Sequence, residues 1–351
     1  MSLKIGIMNK EIQIKNIYYM LSYVFSPLQK KQYETIKVEP FEHIHDLFAE
    51  ILSIGVSSQL KQGLYKEYIE RQQNLSVLHG KLELQGTIFN KQQRKQLVSC
   101  IYDELSEDNL YNQILKTTCL LLLKQPNVKK KRKVQLKRTL LFFKDIKEIN
   151  VKDIKWERIG YWRNNQNYCM LLNICRLLIE GMILTTEQGE FKLASFLSEQ
   201  KMSRLYEKFV LEYYKYHYKE LHPNASQILW SVERGDIEFL PVMRTDITLI
   251  QKEKTLIIDA KYYANTMQYY YDTKKIHSAH LYQMYAYVKN MDKSHLGNIS
   301  GLLLYAKTEG EIVPNCEFFI DGNKIGVKIL DLNVPFTQIR KQLDEIIEKW
   351  W

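Results

Sequence analysis

The chain has 351 residues, of which 45% are hydrophobic, so two globular domains with substantial cores are expected. Its 50 Lys and Arg residues outnumber its 40 acidic residues, and the net charge of +10 favours a polyanionic partner. The first ten residues lack the apolar core of a secretion signal, and the apolar stretches are too short or too charged to span a bilayer. Five scattered cysteines without a Cys-x-x-Cys pair favour reduced thiols, so we expect a cytoplasmic protein without structural zinc.

The first half of the chain is predicted to be helical, with one small β-unit. Residues 12–25 begin with strand-like alternation and continue as an amphipathic helix that leaves Lys15, Asn16 and Tyr19 outside the core. A basic run at 129–138 suits phosphate contacts or an acidic partner, or else forms the solvated face of a helix. Further helices are predicted over 41–60, 108–124 and 168–183, and strands over 64–69 and 77–89.

The second half predicts a mixed sheet flanked by helices, which places the protein in the mixed α+β or α/β class. A domain boundary is expected near 185–194, where glycines flank polar residues. Residues 299–306 are expected to form a central strand because no charge interrupts them. The other predicted elements are helices over 202–220, 274–290 and 336–350, and strands over 227–233, 238–242, 318–320 and 324–330.

The stretch 244–263 is the most informative, because two β-branched runs flank a polar turn at 251–254 and predict a β-hairpin. With the turn centred between Lys252 and Glu253, Asp246 and Asp259 lie opposite each other, about 5 Å apart at Cβ. Lys261 lies two residues after Asp259 and projects from the same face of the strand. The hairpin therefore offers two carboxylates and one ammonium on one surface.

Two adjacent carboxylates repel each other unless a cation lies between them, and Mg²⁺ prefers such oxygen ligands. A nearby lysine can orient or deprotonate an attacking water and offset developing phosphate charge, so the set suits phosphodiester hydrolysis. The alternative is an edge hairpin on which the aspartate and the lysine form only a solvated ion pair.

Several short strings, in this order, resemble the McrC family, the nuclease subunit of McrBC-type modification-dependent restriction systems. The two most specific strings are Asn-Ile-Tyr-Tyr-Met-Leu at 16–21 and Asp-Ala-Lys-Tyr-Tyr at 259–263. Others are Leu-Tyr at 205–206, Thr-Asp-Ile-Thr at 245–248, Leu-Tyr-Gln at 281–283 and Gly-Leu-Leu-Leu at 301–304. The region from about 29 to 199 matches only diffusely.

The resemblance implies a domain at 1–190 that docks into a ring of McrB-type AAA+ GTPases and stimulates GTP hydrolysis. It implies a Mg²⁺-dependent endonuclease domain of the PD-(D/E)xK fold at 191–351, acting on double-stranded DNA in phage defence. The GTPase partner reads methylated cytosine and binds GTP, which agrees with the lack of a phosphate-binding Gly-x-x-x-x-Gly-Lys-[Ser/Thr] motif here. Cutting both strands needs two active sites, which favours a homodimer through the nuclease domain.

Carried over from the family, Asp246 and Asp259 are metal ligands and the Ala260 carbonyl is a third. Lys261 is the catalytic lysine, and Gln283 corresponds to a helix glutamine that holds the lysine side of the site. Glu207 is placed like the acid on the first helix of this fold. Thr245 replaces the proline of the fold's name, which the chemistry does not require.

The candidates for contacts to DNA are four residues near the hairpin: Arg244, Tyr262, Lys274 and Lys275. Two other functions remain open. The chain could act chiefly as an activator and assembly hub for the GTPase with little or no cleavage, or as a free-standing repair or mobile-element nuclease of the same fold.

Overall fold

The computed structural model describes residues 2–160, 165–188, 199–262, 268–270, 273–307 and 315–351. Within these ranges, side chains are not described at 2–12, 182–188, 199, 268–270 and 273–275. The protein has a mixed α+β fold, as predicted. It divides into two compact units, Phe48–Ile179 and a second that combines Met1–Leu47 with Glu180–Trp351.

The unit division differs from a simple split near residue 190, because the first 47 residues belong with the second half of the chain. Side-chain hydrogen bonds within this unit explain the difference. The Asn16 side chain is buried and donates to the carbonyls of Leu332 and Val334, 2.8 Å away in each case. The assignment of a docking role to 1–190 and a nuclease role to 191–351 stays a prediction.

The first half contains a small antiparallel sheet among its helices. The strands are β1 Glu67–Leu75, β2 Lys81–Glu83 and β3 Val98–Ser106, paired in the order β1-β3-β2. The helices are α1 Ser2–Val24, α2 Glu34–Val38, α3 Ile44–Gln62, α4 Leu84–Gln92, α5 Leu110–Lys124, α6 Lys130–Leu140 and α7 Gln166–Gln188.

Two predictions for this half were wrong, and one strand was not predicted. The alternation near Ile12 forms no strand, because Ile14, Ile17 and Leu21 continue one buried helical stripe. Residues 84–89 are helical, since the Glu83 side chain caps α4 by accepting the backbone N–H groups of its first turn. Strand β3 was missed, because its acidic second half interrupts the apolar alternation.

The basic run at 129–138 is not uniformly solvated, because Arg132 on α6 is only 1% exposed. Its Nε lies 3.1 Å from Oε2 of Glu50 on α3, whose side chain is 9% exposed. This arginine therefore balances a buried acid inside the unit Phe48–Ile179 and is withdrawn from any surface that could contact phosphate.

The second half is built on a five-stranded mixed sheet. The strands are β4 Gln227–Ile228, β5 Met243–Arg244, β6 Ile247–Gln251, β7 Lys254–Lys261, β8 Gln268–Tyr270, β9 Thr273–Lys275, β10 Ile299–Lys307, β11 Cys316–Ile320 and β12 Asn323–Asp331. The sheet has the order β11-β12-β10-β7-β6, in which the central β10 is parallel to β7 and β12 and both outer pairs are antiparallel. This confirms the predicted central strand and the predicted strands at 318–320 and 324–330. The helices are α8 Glu199–His217, α9 Ser278–Met291 and α10 Phe336–Trp350.

Helix α9 lies directly on the central strand, because glycine at 301 leaves room for it. A Cβ at Gly301 would lie 2.5 Å from Met284 Sδ and 2.9 Å from Val288 Cγ2, so a larger residue would force these α9 side chains to shift. The residue before Met284 is Gln283, so this close packing also fixes a predicted site residue above the sheet.

Within the described part of the chain, no helix combines the length and the apolar character that crossing a bilayer requires.

Candidate active site

The β6–β7 hairpin brings Asp246 and Asp259 together, as its register predicted. The strands pair Ile247 with Ile258, and Lys252 in the turn has φ of 54°, the left-handed conformation of a tight reversal. Asp246 stands just before β6 and accepts a hydrogen bond on Oδ2 from the Ala260 N–H, 2.9 Å away. A side chain from one arm is thus fixed to the backbone of the other.

Lys261 completes the charged group. Its Nζ lies 2.8 Å from Oδ2 of Asp259, which is 1% exposed, and donates to Gln283 Oε1 at 3.2 Å. Because Asp259 is buried, the solvated surface ion pair considered from the sequence does not describe this site. A buried carboxylate and a partly buried ammonium held by a third side chain form a preorganised polar site.

A hydrogen-bond relay behind Gln283 holds the lysine side of the site. Gln283 Nε2 donates to the Tyr287 hydroxyl at 2.7 Å, and that hydroxyl donates to the backbone carbonyl of Arg244 at 3.0 Å. Tyr287 was absent from the predicted site residues. The i, i+4 spacing from Gln283 was the available signal, but the Arg244 carbonyl that anchors the relay comes from tertiary contact.

The site holds more acid than base, and the pKa values reflect this. Burial, followed by the charges of Asp259 and Glu207, raises the pKa of Asp246 to about 7. Burial also raises the pKa of Asp259, although the adjacent Lys261 ammonium lowers it in part. Two carboxyls that resist ionising together have the electrostatics that a bound cation would relieve.

Glu207 belongs to this acidic group because its negative charge helps to raise the pKa of Asp246. Its Oε1 accepts a hydrogen bond from the Ser203 hydroxyl one turn earlier on α8, at 2.8 Å. Among the described residues, no group of three or more His, Cys, Asp and Glu side chains is arranged to hold a metal ion. A metal here would therefore need ligands besides side chains.

The Ala260 carbonyl can supply such a ligand. In an extended strand, the N–H and C=O of one residue point to the same side. Because the Ala260 N–H reaches the Asp246 carboxylate, its carbonyl faces the same edge. Two carboxylates and one carbonyl form an all-oxygen donor set, which fits a small hard cation that keeps several waters.

His280 and Tyr305 lie beside Lys261 and were not assigned to the site. Tyr305 on β10 pairs with Lys261 across the parallel ladder, and its hydroxyl lies 2.8 Å from His280 Nδ1. Burial, Lys261 and His277 lower the pKa of His280 to about 4, so it is neutral near pH 7. A neutral imidazole adds no positive charge next to the lysine.

The four candidates for DNA contact lie in different parts of the second half of the chain, and their role in binding DNA stays a prediction. Arg244 is exposed at the end of β5, and Tyr262 is half-buried with its ring 6.2 Å from that of Tyr206. Lys274 and Lys275 lie in β9, so their predicted helical placement was wrong, because the helix begins only at Ser278. Their side chains, like all of Tyr263, lie outside the described residues.

Comparisons with known proteins agree on one family. Residues 4–306 match the family described as McrBC 5-methylcytosine restriction system component. The chain is 26% identical over 343 residues to the type IV methyl-directed restriction enzyme EcoKMcrBC of Escherichia coli strain K12, covering 97% of this chain and 98% of that protein.

Solved structures give the same result at the level of fold. One match is to a chain of the Thermococcus gammatolerans assembly of McrB AAA+ hexamers with bound McrC, with a TM-score of 0.50 and 18% identity. It covers 95% of this chain and 76% of that chain. Because the family match extends over most of the sequence, the chain belongs to the McrBC 5-methylcytosine restriction system component family.

Proposed function

We propose that this chain is the Mg²⁺-dependent DNA endonuclease subunit of a GTP-dependent, modification-dependent restriction complex, and that its partner is a McrB-type AAA+ GTPase ring. The observation that carries the proposal is the convergence of the buried Asp259 with the partly buried Asp246 and Lys261 on one hairpin face. Family membership supports a role in restriction.

Asp246, Asp259 and the Ala260 carbonyl would hold the magnesium ion, which when bound supplies positive charge to the scissile phosphate. Lys261 lies beside Asp259 and is held by Gln283, so its ammonium is positioned to stabilise charge that develops on the phosphate. Tyr287 keeps Gln283 in place. Glu207 adds negative charge that strengthens cation binding.

The test is cleavage of methylated plasmid DNA by the full chain with the GTPase of its system, GTP and Mg²⁺. Asp259→Ala and Lys261→Ala should each reduce cleavage at least a hundredfold, because each removes a charge used in the transition state. Lys254→Ala is the matched control, since Lys254 is an exposed lysine at the start of the same strand. Cleavage by folded Asp259→Ala at the wild-type rate would refute the site.

A second function, stimulation of the GTPase, is favoured by the surface of the unit Phe48–Ile179. Its small sheet and α4 expose large apolar side chains, which on a soluble domain mark interaction surfaces. They include Tyr68, Val77, Leu84, Ile88 and Phe89.

The corresponding experiment measures the partner's GTPase rate with the full chain added. Phe89→Ser should reduce stimulation several-fold, whereas Lys91→Ser, at an exposed position on the same helix, should leave it nearly unchanged. Equal stimulation by both variants would exclude this surface. Because Phe89→Ser leaves the residues of the hairpin site unchanged, any loss of cleavage in this variant would come from weaker interaction with the GTPase.

A further inference from the structure

A cavity of about 790 Å³ opens in the unit that contains the hairpin, away from the carboxylates of the candidate active site. It lies between α1, the end of α8 and the start of α10, and its walls include Lys15, Tyr19, Tyr23, His217, Phe336 and Arg340. Its volume is in the range of pockets that bind small molecules and cofactors. The cavity has no part in the proposed cleavage reaction.

The charge of the lining is positive. Lys15, Lys37 and Arg340 contribute cations, and none of the described residues that line the cavity is acidic. The nearest carboxylate on α10, Asp344, accepts hydrogen bonds from the Tyr213 and Tyr218 hydroxyls at 2.6 and 2.8 Å. Asp344 keeps its charge and offsets part of the charge of Arg340, so Lys15 and Lys37 supply the surplus of positive charge that favours an anion in the cavity.

One wall of the cavity is aromatic. The rings of Tyr19 and Phe336 stack with centroids 4.5 Å apart and an angle of 19°, and Tyr23 lies 5.9 Å from Phe336. Flat aromatic surfaces in a positive groove are how proteins bind bases of any sequence. An anion that also carries a planar ring satisfies both features.

The wall is rigidly built, which distinguishes it from a chance surface groove. Asn16, next to Lys15, fixes α1 to the segment between β12 and α10 by its two hydrogen bonds. Gln13 adds a third, donating to Asn333 at 2.6 Å. The Tyr23 hydroxyl lies 2.8 Å from His217 Nε2, which joins α1 to α8. The site is therefore preorganised before any ligand arrives.

We propose that this cavity binds a nucleoside phosphate, with the base on the Tyr19–Phe336 stack and the phosphate at Arg340 and Lys15. The source is either a free nucleotide or one unit of a DNA strand. The strand is geometrically suitable, because ten residues of α8 separate Glu207 from His217, about 15 Å along a helix. A strand leaving the hairpin site would cover that distance within a few nucleotides.

The experiment measures binding of a fluorescein-labelled 12-nucleotide oligo(dT) to the full chain by anisotropy, with EDTA present to prevent cleavage. Arg340→Gln should weaken binding about tenfold, because it removes a charge-assisted hydrogen bond to phosphate. Lys341→Gln loses the same charge at an exposed neighbouring position outside the cavity and should change affinity less than twofold. Equal weakening by both variants would mean diffuse surface attraction and would overturn the proposal.

A second pair of variants tests stacking. Tyr19→Leu should weaken binding about fivefold, whereas Tyr19→Phe keeps the ring and should bind like the wild type. Thermal melts check folding, and if Tyr19→Leu unfolds, the Arg340 pair still decides. Unchanged affinity in both Arg340→Gln and folded Tyr19→Leu would refute the site.

Competition by unlabelled dTMP and GTP identifies the source. Displacement by either at millimolar concentration assigns the cavity to free nucleotides, and displacement only by unlabelled oligo(dT) assigns it to the strand. The inference is independent of the proposed nuclease, since Lys261→Ala should lose cleavage and keep the Arg340-dependent binding. Any binding of oligo(dT) at the hairpin is common to all these variants and cancels in the comparison.

Discussion

Two of the places where the described residues bury charge differ in the balance of acid and base. In the unit Phe48–Ile179, the acid Glu50 forms an ion pair with the base Arg132. On the hairpin, Asp246 and Asp259 share one lysine, with Glu207 adding further negative charge. A matched buried pair has no charge left to offer a ligand, whereas a surplus of acid destabilises the fold until a cation binds. The imbalance is what distinguishes a binding site from an internal support.

We expect the largest loss of stability from a substitution that removes one member of the Glu50–Arg132 ion pair. Arg132→Met leaves Glu50 buried without this partner and should lower the free energy of unfolding by about 3–5 kcal/mol, measured by urea denaturation. The double variant Glu50→Met, Arg132→Met should recover most of the loss, because two apolar side chains replace the ions. If the double variant does not recover stability, the two side chains contribute more to the fold than the mutual compensation of their charges.

The next largest effect is expected from a substitution that removes one of the excess carboxylates at the hairpin site. Asp246→Asn should abolish cleavage and yet stabilise the metal-free protein, by roughly 2 kcal/mol at pH 8. The folded-state pKa of about 7 lies above the unfolded value, so the folded state holds the proton more tightly. The wild type should therefore lose stability as pH rises from about 4 to 7, and the variant should lose less, because the raised pKa of Asp246 no longer contributes and that of Asp259 still does. Thermal melts in EDTA across that range measure it, and parallel curves would contradict the shift.

A smaller effect tests the relay that positions the lysine. Tyr287→Phe removes the hydroxyl between Gln283 and the Arg244 carbonyl, and should reduce the cleavage rate about fivefold with a stability loss near 1 kcal/mol. Tyr282→Phe alters an exposed tyrosine of the same helix and serves as the control. If both variants cleave at the wild-type rate, the relay does not contribute to the reaction.

The smallest effect on stability is expected from an exposed ion pair, which serves as the reference for the buried one. Lys215 and Glu212 form a 2.9 Å ion pair on α8 with both side chains substantially exposed. Lys215→Ala should change the free energy of unfolding by less than about 0.5 kcal/mol, because water screens such pairs. A larger loss, approaching that of Arg132→Met, would show that burial does not explain the difference between the two charged sites.

The sequence alone determined the hairpin and which of its side chains face each other. Strand alternation and a two-residue turn depend on neighbouring residues, so the facing of Asp246 and Asp259 could be predicted by counting. The last helix was predicted with its observed bounds, 336–350, for the same reason, because its apolar period is local.

Tertiary structure alone decided which side chains meet across the chain. Asn16 fits an exposed position by helical period, yet it is 2% exposed because it bonds carbonyls more than 300 residues away. Arg132 and Tyr287 likewise have partners supplied by distant elements. Local sequence patterns determine which secondary structure a segment can form. A buried polar group also needs hydrogen-bond partners, and here distant segments supply them only in the folded tertiary structure.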